Sequence, residues 1–301
     1  MKFLIVGGTG FIGSHLTERL LKDGHNVIIV DRSIKLENIK DFKENANLRL
    51  YHENIFDNIS DLFKDVDVVF HLAALTRPQW SIEHPYETAE GNVTGTLKVL
   101  EYCRLNKVKR IVFMSSSNLY GDQELYPTPE GVKSNPMNMY ALSKQIGEQY
   151  CNLYHKLYGL EWNACRPFNA YGTRMPISGI YTSALATFIH VIKNDLPLET
   201  YGTGEQRRDF IYIDDIIDQL ILMAHSKVHG EAFNCGSGTN TSINELYQMI
   251  CNLMGKKIEP KKHPAQYEPS QTLADITKAE KLLGWKPKID LEEGLRRTIN
   301  G

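Results

Sequence analysis

The sequence predicts an α/β fold, a doubly wound parallel sheet with a smaller C-terminal lobe. Short runs of β-branched residues alternate with helical patterns over the first half of the chain. The runs are apolar at consecutive positions, which is typical of parallel strands covered by helices on both faces. After residue 170 the alternation loosens and turn sequences appear at 175–179 and 201–205. We therefore expect two domains, at 1–170 and 171–301.

The predicted elements follow in chain order. Between the first two strands, Leu16, Leu20 and Leu21 share one helical face. Gly24 comes next and can take the left-handed conformation that ends a helix. A strand-like segment near 232–236 is expected to return to the sheet. The other predicted strands are 3–6, 27–30, 48–51, 66–72, 110–114 and 160–166, and further helices are predicted near 182–194, 214–226 and 243–254.

Composition and charge exclude several functions. The chain has 301 residues, 42% of them hydrophobic, and its net charge of −2 with dispersed basic residues disfavours nucleic acid as a partner. No stretch is apolar for long enough to cross a bilayer, so no membrane partner is expected. The five cysteines lie far apart without a CxxC motif, which predicts reduced thiols and no metal site. With no signal-peptide pattern at the N-terminus, we expect a cytoplasmic location.

A glycine-rich segment follows the first predicted strand. Gly7, Gly10 and Gly13 permit a tight turn, and the free N–H groups of the helix that follows can bind a pyrophosphate. Asp31 ends the second strand, where a carboxylate accepts hydrogen bonds from the ribose hydroxyls and repels a 2′-phosphate. A Rossmann dinucleotide site is therefore predicted, with NAD favoured. Arg32 leaves NADP open as the alternative.

A second group of residues has the chemistry of proton transfer. Tyr140 and Lys144 are four residues apart, on one face of a predicted helix. A phenol with its ordinary pKa of about 10 is a poor base at neutral pH, and a nearby ammonium favours the phenolate. Three serines, at 115–117, follow the predicted strand 110–114, at the edge of the sheet where ligands bind. These groups form a candidate catalytic site.

Ordered motifs along nearly the whole chain resemble those of the extended short-chain dehydrogenase/reductase family. Within it, the resemblance is to the NAD-dependent nucleotide-sugar epimerases and dehydratases. It implies a Rossmann fold, NAD as cofactor, a C-terminal substrate-binding lobe and a homodimer. The motifs are GGTGFIG (7–13), HLAA (71–74), NVTGT (92–96), SSSNLYG (115–121), YALSK (140–144), RPFNAYGTR (166–174), GTGEQRRDFIYIDD (202–215), FNCGSG (233–238) and ADITKAEKLLGWKP (274–287).

The resemblance implies which residues hold the cofactor. Asn54 and Ile55 lie where the family has an Asp-Ile pair beside the adenine, so Asn54 departs from the family pattern. Segment 72–74 lines the cofactor groove in this family, and Lys144 bridges to the nicotinamide ribose. The residues expected to bind NAD are Gly7, Gly10, Phe11, Ile12, Gly13, Asp31, Asn54, Ile55, Leu72, Ala73, Ala74, Tyr140 and Lys144.

The resemblance also implies the residues of catalysis and substrate binding. Tyr140 is the general base and acid. The catalytic serine stands four residues before the tyrosine of the LYG motif, which selects Ser116, with Ser117 as the alternative if the turn shifts by one residue. Ala265 stands where the family has a second arginine for the diphosphate. The residues expected to contact a UDP-linked nucleotide sugar are Ser116, Ser117, Asn169, Arg208 and Thr272.

Asn118 discriminates among the reactions of this branch. Each begins when Tyr140 takes the sugar O4 proton while the C4 hydride passes to NAD. A 4,6-dehydratase also needs acidic residues just after its catalytic serine or threonine, and here those positions hold Ser117 and Asn118. We therefore expect 4-epimerisation of UDP-glucose and UDP-galactose, with N-acetylhexosamines admitted because Thr272 is small. The alternatives are uronic acid substrates, a dehydratase or reductase, and a dinucleotide-binding regulatory protein without catalysis.

Overall fold

The computed structural model describes residues 1–176, 183–265 and 268–301. Residues 177–179 of the predicted turn and residue 182 of a predicted helix lie outside these ranges. The strands are β1 Lys2–Val6, β2 Asn26–Asp31, β3 Leu48–His52, β4 Val68–His71, β5 Arg110–Met114, β6 Glu161–Pro167, β7 Asn169–Tyr171, β8 Glu199–Tyr201, β9 Arg207–Arg208, β10 Phe210–Tyr212, β11 Glu231–Cys235, β12 Thr241–Ser242 and β13 Lys261–His263. The α-helices are α1 Phe11–Lys22, α2 Leu36–Ile39, α3 Pro78–Glu83, α4 Pro85–Thr88, α5 Gly95–Leu105, α6 Met139–Tyr158, α7 Ala184–Lys193, α8 Ile213–His225, α9 Ile243–Met254, α10 Thr277–Leu283 and α11 Leu291–Asn300.

Seven strands form one parallel sheet in the order β11-β6-β5-β4-β1-β2-β3. The six strands predicted in the first half of the chain are all members, which confirms the predicted fold class. Strand β11 covers the strand-like segment near 232–236 and pairs with β6. The chain order reverses between β1 and β4. Sheets of this type bind ligands in the crevice outside the carboxyl ends of the strands at such a reversal.

Helices cover both faces of this sheet. Consecutive side chains of each strand point to opposite faces, so each strand contributes to two separate cores. Along β1, Phe3 and Ile5 join a core with residues of α1 and α8. Leu4 and Val6 join a second core with residues of α5 and α6. Burial on both faces explains why the strand sequences are apolar at consecutive positions.

The C-terminal part of the chain packs on the first of these two cores. Leu185 and Ile189 of α7, Ile250 of α9 and Trp285 belong to the same hydrophobic cluster as the α1 face of the sheet. Short pairings link β7 with β10, β8 with β13 and β9 with β12. The division near residue 170 stays a prediction. Within the described ranges, no helix is both long and apolar enough to cross a membrane.

Helix α6 approaches strand β5 closely because Gly147 has no side chain. A Cβ at this position would stand 2.4 Å from Cζ of Phe113. The Phe113 ring is buried within the second core, so it has no free space into which to move. The contact lies two turns after Tyr140 and keeps this part of α6 close to β5.

We predict that Gly147→Ala destabilises the protein. The added methyl group overpacks the contact with Phe113, which costs about 1–3 kcal/mol and outweighs the gain of about 1 kcal/mol in helix propensity. Urea unfolding measures the loss. The control is Gly131→Ala, because a Cβ there meets nothing within 4 Å, and its free energy of unfolding should change by no more than about 0.5 kcal/mol. Equal stability of the two variants would contradict the close approach of α6.

Candidate active site

A cavity of about 600 Å³ lies along the carboxyl ends of the sheet strands. It begins at the glycine turn after β1, passes the ends of β2 and β4, and reaches the end of β5 and the first turns of α6. Most of the site residues predicted from the sequence line it. These are Gly7, Gly10, Phe11, Ile12, Gly13, Asp31, Asn54, Ile55, Leu72, Ala73, Ala74, Ser116, Tyr140 and Lys144.

The glycine turn has the shape that a pyrophosphate requires. Gly7 has φ +88°, and a Cβ there would stand 2.9 Å from the backbone N of Ala73. A Cβ at Gly13 would stand 2.2 Å from the carbonyl oxygen of Gly7. Gly10 caps α1 and has no side chain with which to bond the first N–H groups of that helix. These N–H groups are therefore available to an anion in the cavity.

The carboxylate of Asp31 is held in a fixed position at the end of β2. Its Oδ2 accepts hydrogen bonds from the backbone N of Thr9, at 3.1 Å, and from Thr9 Oγ1, at 2.7 Å. Its Oδ1 accepts one from the backbone N of Ser33, at 3.0 Å. A carboxylate has about four acceptor positions, so one remains for a ribose hydroxyl. The residues present therefore fit NAD. Thr9 positions the Asp31 carboxylate, and the sequence reasoning missed it.

Lys144 and Tyr140 are both buried, with exposed fractions of 3% and 7%. Lys144 Nζ donates a hydrogen bond to the carbonyl oxygen of Met114, at 2.7 Å. Burial lowers the pKa of the Lys144 ammonium to about 7, against the opposite effect of the Glu148 carboxylate. Burial raises the pKa of the Tyr140 phenol, and a hydrogen bond with Ser116 lowers it. The sequence argument considered only the nearby ammonium, and burial acts on the phenol in the other direction.

His71, at the end of β4, is a neutral imidazole near Lys144. Its Nε2 is 3.0 Å from Oγ1 of Thr96. Burial and the positive charge of Lys144 lower the pKa of His71 to about 3. No charge from this ring therefore acts on the site at neutral pH.

The start of α6 is fastened to the segments that border the cavity. The backbone N of Tyr140 donates to Ser81 Oγ at 3.1 Å, and Ser143 Oγ donates to the Tyr140 carbonyl oxygen at 2.7 Å. Asn92 donates to Ser143 Oγ, at 3.0 Å, and accepts from the backbone N of Leu75, at 2.7 Å. Asn92 therefore joins the segment after β4 to α6. The NVTGT motif was the only sequence signal of this link.

A buried ion pair holds the next turn of α6. Glu148 accepts hydrogen bonds from Arg166, at 2.8 Å and 2.6 Å, and from Ser115 Oγ, at 2.5 Å. Arg166 also donates to the hydroxyl of Tyr120, at 2.8 Å. The pair joins α6 to the ends of β5 and β6. Sequence reasoning gave no role to either charged residue.

Four predicted substrate residues are not among the described residues that line the cavity. Ser117 lies on the short 3-10 turn after β5. Asn169 Nδ2 donates to the carbonyl oxygen of Asp209, at 2.8 Å, and lies 3.5 Å from Thr272 Oγ1. Arg208 is 9% exposed and bonds to Glu268 at 2.6 Å. The roles of these residues stay predictions.

The fold and the cavity define a dinucleotide-binding protein of the Rossmann class, with a tyrosine, a lysine and a serine at the end of the groove beside β5. Residues 3–236 match the NAD dependent epimerase/dehydratase family, and the chain belongs to that family. The cofactor of the family is NAD.

Known members of the family are similar over nearly the whole chain. The UDP-glucose 4-epimerase of Mycolicibacterium smegmatis is 34% identical over 99% of this chain and 97% of its own length. The solved UDP-N-acetylglucosamine 4-epimerase of Methanobrevibacter ruminantium is 34% identical, with a TM-score of 0.95 over 99% of this chain and 97% of its own. The UDP-glucuronic acid 4-epimerase of Bacillus cereus, solved with UDP-glucuronic acid and NAD, is 32% identical, with a TM-score of 0.92 over 100% and 98%.

The burial of Lys144 predicts how stability changes with pH after NAD has been removed. The lysine pKa is about 7 in the folded protein and about 10.4 in the unfolded chain. Between these values the unfolded chain binds more protons, so the free energy of unfolding rises with pH, at most by about 1.4 kcal/mol per pH unit. Urea unfolding at pH 7, 8, 9 and 10 measures this slope. The variant Lys144→Met should lack the contribution, and parallel slopes of wild type and variant would contradict the lowered pKa.

Proposed function

We propose that this enzyme catalyses NAD-dependent 4-epimerisation of a UDP-sugar. UDP-glucose and UDP-galactose are the first candidates, and the N-acetylhexosamines are the second. One observation carries the proposal. Tyr140, Lys144 and Ser116 border one cavity at the end of β5, and the residue beside them is Asn118 instead of an acid. The similarity to proteins named as UDP-sugar 4-epimerases supports the same conclusion.

In this proposal, the side chains of the protein move one proton in both directions. Tyr140 Oη takes the proton from O4 of the sugar, and Ser116 donates a hydrogen bond to the oxygen of the developing carbonyl group. When bound, NAD supplies a reversible hydride acceptor with a positive charge on its nicotinamide ring. Lys144 binds the nicotinamide ribose. Tyr140 returns the proton to O4 after the 4-keto sugar has turned its other face, so there is no net redox change.

The charge of the cavity supports a neutral sugar over a uronic acid. Apart from Lys144, the described lining residues that follow β4 in the chain are uncharged. Leu75, Thr76 and Phe168 are examples. An uncharged lining suits hydroxyl and N-acetyl groups, because a sugar carboxylate loses its hydration without gaining an opposite charge.

The proposal also includes the nucleotide end of the substrate. Asn169 and Arg208 bind the diphosphate, while Thr272 borders the C2 substituent. The guanidinium of Arg208 already bonds to an anionic group, the carboxylate of Glu268. A diphosphate would replace this carboxylate with two negatively charged groups of the same bonding geometry.

The reaction is tested by NMR of the purified protein, incubated without added cofactor with UDP-galactose, UDP-GalNAc and UDP-galacturonate in separate samples. We expect interconversion at C4 of the first two. Tyr140→Phe should lower the rate by at least about 100-fold, because the variant loses the general base, and it should keep NAD bound. The control is Tyr86→Phe, since Tyr86 is 87% exposed, and its rate should be unchanged.

Other products would select the alternatives. A stable 4-keto-6-deoxy sugar would establish a dehydratase, and consumption of added NAD(P)H would establish a reductase. Turnover of UDP-galacturonate alone would establish a uronic acid epimerase. Full activity of Tyr140→Phe would exclude Tyr140 as the base. Unchanged sugars in every sample would favour a regulatory protein that binds the dinucleotide without catalysis.

We further propose a homodimer in a reducing, cytoplasmic compartment. Large apolar side chains are exposed on the adjacent helices α5 and α6: Leu105 58%, Leu153 47%, Leu157 60% and Tyr158 52%. Several large apolar side chains exposed on adjacent helices are typical of a protein interface. The five cysteines are free and buried, which supports a compartment where thiols stay reduced.

Leu157→Glu should therefore convert the dimer to a monomer, because it places a charge within the apolar surface. Sedimentation velocity measures the mass in solution. The control is Leu282→Glu. Leu282 lies on another helix, α10, and is 44% exposed, so this variant should leave the dimer intact. A wild-type monomer, or a dimer that survives Leu157→Glu, would contradict the interface.

A further inference from the structure

The hydroxyl oxygen of Ser116 accepts two hydrogen bonds from one residue. The backbone N of Asn118 donates to Ser116 Oγ at 3.2 Å, and Asn118 Nδ2 donates to the same oxygen at 3.0 Å. A serine hydroxyl has two acceptor lone pairs and one proton. Both lone pairs are therefore used, and Ser116 can enter a further hydrogen bond only as the donor.

Tyr140 lies beside Ser116 and can accept its remaining proton. Ser116 is 3% exposed, with an extended backbone, and it borders the cavity next to Tyr140. Its hydrogen bond lowers the pKa of the Tyr140 phenol, against the effect of burial. A donor has this effect because it stabilises the phenolate more than the phenol.

We propose that Asn118 is a positioning residue, whose amide holds Ser116 as a hydrogen-bond donor, toward Tyr140 when no sugar is bound and toward O4 when the sugar is bound. This inference rests on the proposed function for its effect on turnover. Position 118 then matters for the amide that it holds as well as for the absence of an acid. An ionised carboxylate there would accept the proton of Ser116 and turn it away from Tyr140.

The turn that carries Asn118 is itself fixed. The backbone N of Asn135 donates to the carbonyl oxygen of Leu119, at 3.0 Å. The hydroxyl of Tyr120 donates to Asn234 Oδ1, at 2.6 Å. Gln123 Nε2 donates to the carbonyl oxygen of Tyr120, at 2.5 Å. The amide of Asn118 is therefore presented to Ser116 by a rigid segment.

Asn118→Ala removes none of the titratable groups near Tyr140. Lys144 follows Tyr140 on α6. Glu148 lies on the next turn of the helix and accepts a hydrogen bond from Ser115. His71 on β4 is neutral because burial lowers its pKa to about 3. A change in the titration of Tyr140 in this variant therefore reports the hydrogen bond alone.

The test titrates Tyr140 directly in the protein with NAD bound and no sugar present. Phenolate absorbance is measured against pH for each variant and for the same variant with Tyr140→Phe, and the difference gives the pKa of Tyr140. Asn118→Ala and Ser116→Ala should each raise this pKa. The double variant should match Ser116→Ala, because Asn118 acts only through Ser116. Gln123→Ala, which removes one of the bonds that hold the turn without touching Ser116, should shift the pKa by less than Asn118→Ala does.

Turnover gives the second readout. Asn118→Ala should lower kcat by about 3- to 10-fold, the effect of one hydrogen bond, with KM nearly unchanged and the acidic limb of the pH profile moved upward. Asn118→Asp should lower kcat further. An unchanged titration in Asn118→Ala, additive shifts in the double variant, or an equal shift in Gln123→Ala would overturn the inference. A shifted titration without any epimerase activity would support it while contradicting the proposed function.

Discussion

Glu148 carries a negative charge in the interior, and the position of α6 depends on how that charge is paired. Removing a carboxylate from water costs several kcal/mol, which Arg166 offsets by donating to both oxygens, at 2.8 Å and 2.6 Å. Ser115 donates to the same group. The pairing thus joins α6 to the ends of β5 and β6. Lys144 lies one turn before Glu148, and Ser116 follows Ser115, so this charge fixes both sides of the candidate site.

The order of the strands determines where the cofactor groove opens. Strands β1 and β4 are neighbours, yet the chain leaves them toward opposite halves of the sheet. The segments that follow these strands therefore separate and leave a crevice between them. Gly7 lets the segment after β4 approach the turn after β1, since a Cβ would stand 2.9 Å from the backbone N of Ala73. Topology thus places the dinucleotide, while the residues at the end of β5 decide which chemistry it serves.

The sequence predicted the features that depend on neighbours along the chain. Apolar strands, the glycine turn and the spacing of Tyr140 and Lys144 are local patterns. The partner of Glu148 could not be predicted, because Arg166 is 18 residues away and comes near only when α6 packs against β6. Burial of the phenol is likewise a tertiary effect. A family resemblance implied a ligand role for Arg208, but it could not reveal a carboxylate 60 residues away that bonds to the same guanidinium.

Burial acts on Tyr140 and Lys144 in favour of their uncharged forms. It raises the pKa of the phenol and lowers that of the ammonium to about 7. In the proposed reaction the phenol oxygen must both take and return a proton in every turnover. A phenol pKa that is too high therefore slows the return of the proton. Ser116 opposes the effect of burial, and Asn118 leaves that hydroxyl only its proton to share. In these proposals, Asn118 thus has two effects: it supplies no acid for elimination, and it helps to balance the reversible proton transfer.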